Sequence, residues 1–340
     1  MGKVLQLPQT TRRPQWKNAL RSSQRKVIVR NGDVPPVSAP YNRDYHYYND
    51  SFGSDVIHAG EGGDTVYGDG EYWRSYHNYN GNHYLNGGND FLMGDEGNDR
   101  MVGDINRTYI EYARNRVWYT GGKDEMHGEA GNDVMFGDND YIRVNYTWGS
   151  DVNMTGGVDE MYGGSGNDTM AGDFWNAQFY SSYGYQSYGW NYVDFTGAND
   201  YMDGGTGDDQ MLGGDGNDTI FGDFANIYIA GWSYVIGGAD TIEGGAGNDN
   251  LYGDRENYTS GSYGFTAGAD VFVFNPNSGA DRIHDFQDGI DKLDVSGYGF
   301  TSAADMTIGS VNGVTRIQFS AVDYVDLQSI VTITDDDFIF

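Results

Sequence analysis

The chain has 340 residues; 52 are Gly, none is Cys, and Asp and Glu outnumber Lys and Arg by 50 to 20, for a net charge of −30. The missing cysteines exclude a disulfide framework and thiolate-bound zinc. No apolar stretch approaches the ~18 residues of a membrane span, and the acidic body argues against a nucleic-acid partner. Such charge with low hydropathy marks disordered chains, yet 28 Tyr, 16 Phe and 7 Trp do not. The composition asks for a special fold and for something that neutralises it.

Residues 1–30 carry Lys3, Arg12, Arg13, Lys17, Arg21, Arg25, Lys26 and Arg30 and no acid, a charge of +8 that leaves −38 for the remaining 310 residues. There is no apolar h-region here, so the segment does not read as a Sec-type signal peptide. Two readings stand for residues 1–40: a solvated tail, or a basic arm that docks on an acidic surface through residues such as Arg12, Arg13, Lys17 and Arg21.

From residue 50 onward aspartates recur at nine-residue intervals: Asp55 and Asp64, Asp90 and Asp99, Asp124 and Asp133, Asp159 and Asp168, then Asp200, Asp209 and Asp218, then Asp240 and Asp249. Two residues after each stands a large aliphatic: Ile57, Val66, Leu92, Met101, Met126, Met135, Met161, Met170, Met202, Met211, Ile220, Ile242 and Leu251. Glycines around each aspartate permit positive φ and sharp bends that aim carbonyls inward. The aspartate adds a charged oxygen, and the x-U-x that follows is a minimal strand with one inward side chain. Oxygen-rich, flexible loops are what Ca²⁺ selects.

The phrases "AGEGGDTVY" (59–67), "GDEGNDRMV" (94–102), "GEAGNDVMF" (128–136), "GGSGNDTMA" (163–171), "GGTGDDQML" (204–212), "GGDGNDTIF" (213–221) and "GGAGNDNLY" (244–252) resemble the RTX nonapeptide, the hemolysin-type calcium-binding repeat. The resemblance spans about residues 50–254. It implies an all-β fold, a right-handed parallel β-roll in which each nonapeptide is a half-turn. It also implies multiple Ca²⁺, roughly 8–12 ions, held between loops of neighbouring turns. The metal ligands expected are the thirteen aspartates above, with Asp270 and Asp281 further on.

Each pair of phrases closes on Gly-Asp, at Asp69, Asp104, Asp138, Asp173, Asp223 and Asp254. An excursion rich in Tyr and Trp follows each closure. Successive closures lie 35, 34, 35, 50 and 31 residues apart, against about 18 for a plain turn, so an excursion adds about 17 residues. Polar and aromatic residues alternate within them, the period of half-buried strands, which predicts hairpins or long strands projecting from the roll and aligned as a second layer. The unit with Asp200, Asp209 and Asp218 has an odd number of nonapeptides. The excursions after it, near Phe224 and Arg255, are therefore expected on the opposite edge of the roll. Three readings stand for Trp73, Trp118, Trp148, Trp175, Trp190 and Trp232: packing within the layer, a self-association surface, or a platform for sugar rings.

Past residue 266 the pattern changes. Residues 266–340 resemble the β cap that follows the roll in serralysin-type secreted proteins, as a repeat fold requires, which leaves 41–265 as the roll. The ending "TDDDFIF" resembles the uncleaved signal read by an ABC-type (type I) exporter, and is equally a final strand. Serralysins carry a zinc protease, but no H-E-x-x-H occurs here, nor any G-x-S-x-G or P-loop, so no enzyme is expected. The expectation is a secreted, extracellular or cell-surface calcium-binding structural protein that folds outside the cell and self-assembles into a filament or surface layer. The alternatives are a carbohydrate-binding or adhesin module for polysaccharide, or an accessory module of a secreted enzyme system.

Overall fold

The computed structural model describes residues 27–29, 46–76, 81–111, 117–145, 151–173, 176–180, 192–229, 235–236, 238–260, 265–328 and 332–340. Among these there are strands and three short 3-10 helices, and no α-helix. Two long sheets make the roll. The first runs through Val27–Val29, Thr65–Tyr67, Arg100–Val102, Val134–Phe136, Thr169–Ala171, Gln210–Gly216, Thr241–Gly247, Val271–Val273, Lys292–Asp294 and Phe338–Ile339, all parallel. The second runs parallel from Val56–His58 through Phe91–Met93, Glu125–Ala130, Glu160–Ser165, Tyr201–Thr206, Thr219–Phe221, Asn250–Tyr252 and Ala280–Ile283 to Tyr324–Leu327. It then turns back through Val314–Gln318 and Thr307–Val311, which pair antiparallel and end the repeat.

Each roll strand is short because the loop before it and the loop after it leave room for little more than x-U-x. The second residue of each repeat strand is its aliphatic and faces inward, and all thirteen aliphatics named above belong to one buried cluster between the sheets. In-register pairing stacks like on like: Met126 pairs with Met161 and Leu92, and Met170 with Met135 and Met211. One side chain per half-turn is a thin core, so each contributes heavily.

The excursions align every turn, as the spacing predicts, but they are not hairpins. The outward legs Trp73–Tyr76, Arg107–Glu111, Tyr141–Asn145 and Asn176–Tyr180 form a parallel four-stranded sheet. The return legs His46–Ser51, Gly81–Asn86, Val117–Thr120, Asp151–Thr155 and Tyr192–Thr196 form a parallel five-stranded one. Each leg pairs with the same leg of the next turn, 34 or 35 residues away, or 41 for Asp151–Thr155 with Tyr192–Thr196, instead of with its own partner. The first four excursions thus make a second coil beside the roll, with its own core of Leu85, Ile105, Ile110, Val117, Tyr119, Ile142, Val152 and Met154.

The odd unit acts as the count requires. The first four excursions leave from strands of the first sheet and return to the second; those after Phe221 and Tyr252 leave from the second sheet and return to the first. Their legs pair only with each other, Phe224–Ile229 with Arg255–Ser260 and Val235–Ile236 with Phe265–Thr266. The N-terminal boundary differs from the sequence reading. Val27–Val29 pairs in register with Thr65–Tyr67, and His46–Ser51 is a return leg, so the coil begins within the segment read as an arm. Arg12, Arg13, Lys17 and Arg21 lie outside the described residues.

Leu92 is fully buried between the sheets while Val158 is about half exposed on a loop. Leu92→Ala is expected to lower stability in saturating Ca²⁺ by about 2–5 kcal/mol and Val158→Ala by less than about 0.5 kcal/mol, measured by chemical denaturation.

Candidate calcium sites

The regular aspartates form two ladders along the opposite edges of the roll. In the first, the backbone N–H of Asp55 donates to Oδ1 of Asp90, Asp90 to Asp124, Asp124 to Asp159, Asp159 to Asp200, Asp200 to Asp218, Asp218 to Asp249 and Asp249 to Asp281, at 2.5–3.1 Å. In the second, Asp64 donates to Asp99, then Asp133, Asp168, Asp209, Asp240, Asp270 and finally Asp291, at 2.5–3.2 Å. All fifteen aspartates expected as ligands fall on these ladders. Asp291 was missed: it obeys the same rule, with Leu293 two residues on, but its loop has lost the glycine phrase that announces the others.

One carboxylate oxygen of each is thereby fixed, and the other is left over. The Oδ2 atoms of Asp90, Asp99, Asp124, Asp133, Asp159, Asp168, Asp200, Asp209, Asp218, Asp240, Asp249 and Asp270 are buried and accept no hydrogen bond from the protein. They point at the glycines that open the neighbouring loops. A Cβ at Gly103 would collide with both Asp124 Oδ2 and the Gly137 carbonyl oxygen, and one at Gly163 with Asp168 Oδ2 and the Gly204 carbonyl oxygen. Two acceptors therefore converge where no side chain fits. Gly166, at φ 128°, supplies a backbone turn that other residues rarely adopt.

An unpaired anionic oxygen facing a carbonyl in a buried loop is unfavourable, and a hard cation that takes six to eight oxygens resolves it. Among the described residues no group of three or more acidic or histidine side chains gathers in a metal-holding arrangement. The donor set is instead one ladder carboxylate per loop, carbonyls doing the rest, which suits Ca²⁺ better than a transition metal. The charge shows in the titration. Burial, outweighing the hydrogen bond from the preceding turn, pushes Asp90 up to about 7, Asp218 to about 8 and Asp240 to about 9, and Asp124 and Asp159 far above the carboxylate range.

The Gly-Asp closures have a separate task. Where a loop is split by an excursion, the closing aspartate accepts a backbone N–H from the returning chain, always two residues before a ladder aspartate. Gly88 donates to Asp69, Gly122 to Asp104, Gly157 to Asp138, Ala198 to Asp173, Gly238 to Asp223 and Gly268 to Asp254, at 2.7–3.2 Å. This clasp rejoins the two halves of a loop across the inserted legs. Of the tryptophans, Trp73 packs on the core of the second coil and Trp118 lies flat on Tyr84, centroids 4.7 Å apart and planes at 4°. Trp148, Trp175, Trp190 and Trp232 lie outside the described residues.

The fold and these ladders define a calcium-binding parallel β-roll. Residues 49–71, 84–107, 118–142, 155–174, 196–226 and 237–259 match the family of RTX calcium-binding nonapeptide repeats (4 copies). The chain is an RTX repeat protein, and its cofactor is Ca²⁺, in several copies. Similar solved structures include two subunits of the mannuronan C5-epimerase of Azotobacter vinelandii. One is 27% identical over 42% of this chain and 78% of that subunit with a TM-score of 0.29; the other is 26% identical over 39% and 88% with 0.27. The extracellular lipase LipA of Serratia marcescens is 15% identical over 72% of this chain and 45% of the lipase, with a TM-score of 0.25. No curated protein matches the chain.

Two outcomes are expected. Asp159→Asn keeps the acceptor for the Asp124 N–H but removes the charge, so the Ca²⁺ concentration needed for half-maximal folding should rise several-fold by circular dichroism. Asp208→Asn, at an exposed position beside the ladder, should leave it unchanged. The second concerns pH. Carboxyls whose folded pKa is raised favour the protonated fold, so metal-free stability is greatest in acid and is lost as pH rises from about 4 toward 9. In chelator the β signal should be stronger at pH 5 than at pH 8, and adding Ca²⁺ near pH 6 should release protons measurable by pH-stat.

Proposed function

We propose that this is a secreted structural protein that stays unfolded while calcium is scarce, folds on Ca²⁺ outside the cell, and self-assembles there into a filament or surface layer. The observation that carries the folding step is the pair of buried carboxylate ladders, which the thin core cannot compensate and a cation can. Metal binding then supplies folding free energy directly, and at +2 each roughly ten ions would offset about two-thirds of the −30 charge. Among the described residues no helix is long and apolar enough to cross a membrane. Passage through an ABC-type exporter suits a chain that folds only beyond it. The ending "TDDDFIF" serves that reading, and its Phe338–Ile339 also closes the first sheet.

The assembly step is supported by charge: a terminus of +8 against a body of −38 favours contact between unlike ends of two copies, and head-to-tail contacts of that kind propagate. The polysaccharide reading draws less support, since Trp73 and Trp118 are engaged in packing. Electron microscopy of the full chain with Ca²⁺, with chelator, and without residues 1–26 tests the proposal. Ordered polymers are expected only for the full chain with Ca²⁺. A monomer at high concentration in Ca²⁺ would refute assembly, and a saturable tryptophan-fluorescence response to a polysaccharide would favour the adhesin reading.

A further inference from the structure

The clasp aspartates do more than accept an N–H. Asp69, Asp104, Asp138 and Asp173 stack turn upon turn at the neck between the roll and the second coil, with exposures of 1%, 0%, 0% and 7%. The Asp104 carboxyl lies within hydrogen-bonding reach of both the Asp69 and the Asp138 carboxyls, and it also accepts from the Gly122 N–H and the Tyr119 hydroxyl. Asp69 Oδ1 and Asp138 Oδ2, each on a side chain more than nine-tenths buried, have no hydrogen-bond donor. They are aimed into the column: a Cβ built on Gly156 would strike Asp173 Oδ1 and come within 2.6 Å of Asp138 Oδ2, so oxygens from two successive turns face one spot.

No charge is needed for the clasp itself. An asparagine oxygen would accept the same N–H, yet all six closures use aspartate. What needs explaining are Asp69 Oδ1 and Asp138 Oδ2, anionic oxygens buried beside the Asp104 carboxylate with no donor, whereas Asp173 gives its second oxygen to the Asp215 N–H. Buried charges of this kind are paired or bind metal.

We propose that the neck is a third row of divalent-cation sites, separate from the two ladders, in which a hard cation such as Ca²⁺ sits between the clasp carboxylates of adjacent turns: Asp69 with Asp104, Asp104 with Asp138, and Asp138 with Asp173. The ladders fasten loop to loop within the roll. The neck row fastens the second coil to the roll, because each of its carboxylates also holds an N–H just past the end of a returning leg. Formation of the second coil thereby becomes calcium-dependent, although none of the nonapeptides lies within it.

The test uses the full chain with Asp104→Asn and Asp138→Asn combined, which keeps both clasps and removes two charges. Bound Ca²⁺ in the folded protein, counted by native mass spectrometry, should fall by about three ions, since every pair loses at least one carboxylate, while Asp208→Asn should lose none. An unchanged count with equal or higher thermal stability would overturn the proposal and make the neck a column of shared protons. Should the double variant fail to fold, crystals of the wild-type protein grown with Tb³⁺ decide. An anomalous peak within about 2.3–2.6 Å of an Asp104 or Asp138 oxygen is expected, and a map with peaks only along the ladders would overturn the neck row.

Discussion

The stacking of buried carboxylates at one-turn intervals is the constraint on which everything else depends. Twelve of the ladder aspartates give one oxygen to the N–H of the turn before and keep the other buried without a donor. Neither a proton-free fold nor an apolar core of one aliphatic per half-turn can tolerate that arrangement alone. A hydrophobic roll of this thickness would be marginal, and a calcium roll without calcium would be repelled apart. The fold has a need for charge that a bound cation meets, and its glycines follow from the same need: a Cβ at Gly103 or Gly163 would occupy the space the oxygens converge on.

The second coil shows how a solenoid absorbs long insertions without losing register. The closing aspartate and the returning N–H rebuild the loop across the break, so the roll runs on at its own period while about 17 residues per turn build a neighbouring sandwich. Because the first three excursions are of nearly equal length and the fourth carries its extra residues between its legs, the legs can pair in parallel and bury Ile110, Ile142 and Val152 together. The extra nonapeptide in the unit of Asp200, Asp209 and Asp218 breaks that series and starts another on the far edge.

Much of this was legible in the residues. Asp168 and Met170 lie in one window whose chemistry and spacing both point to a loop followed by a strand, so ladder and core could be read together. The opposite-edge exit followed from counting half-turns. Asp291 was hidden because its loop keeps only Gly289 of the glycine phrase that marks the other loops. The parallel pairing of the excursion legs was hidden for another reason. Alternation in "RVNYTW" predicts a strand but not its partner, and the nearest partner in sequence is the wrong one. Val27–Val29 joins the first sheet although it lies in a strongly basic segment with no nonapeptide to mark it as a roll strand.

By itself, the sequence determined the repeat, the ion it requires, the inward residues and the edge from which each excursion leaves, because each of these is set within nine residues or by counting them. Only the tertiary structure decided which strand each leg meets, that the Gly-Asp closures clasp the returning chain, and that their carboxylates stack into a buried column. Those facts arise between residues from 14 positions apart, across an excursion, to about a full turn apart, brought together when the chain returns and one turn settles on another. No local pattern encodes the distance between two turns.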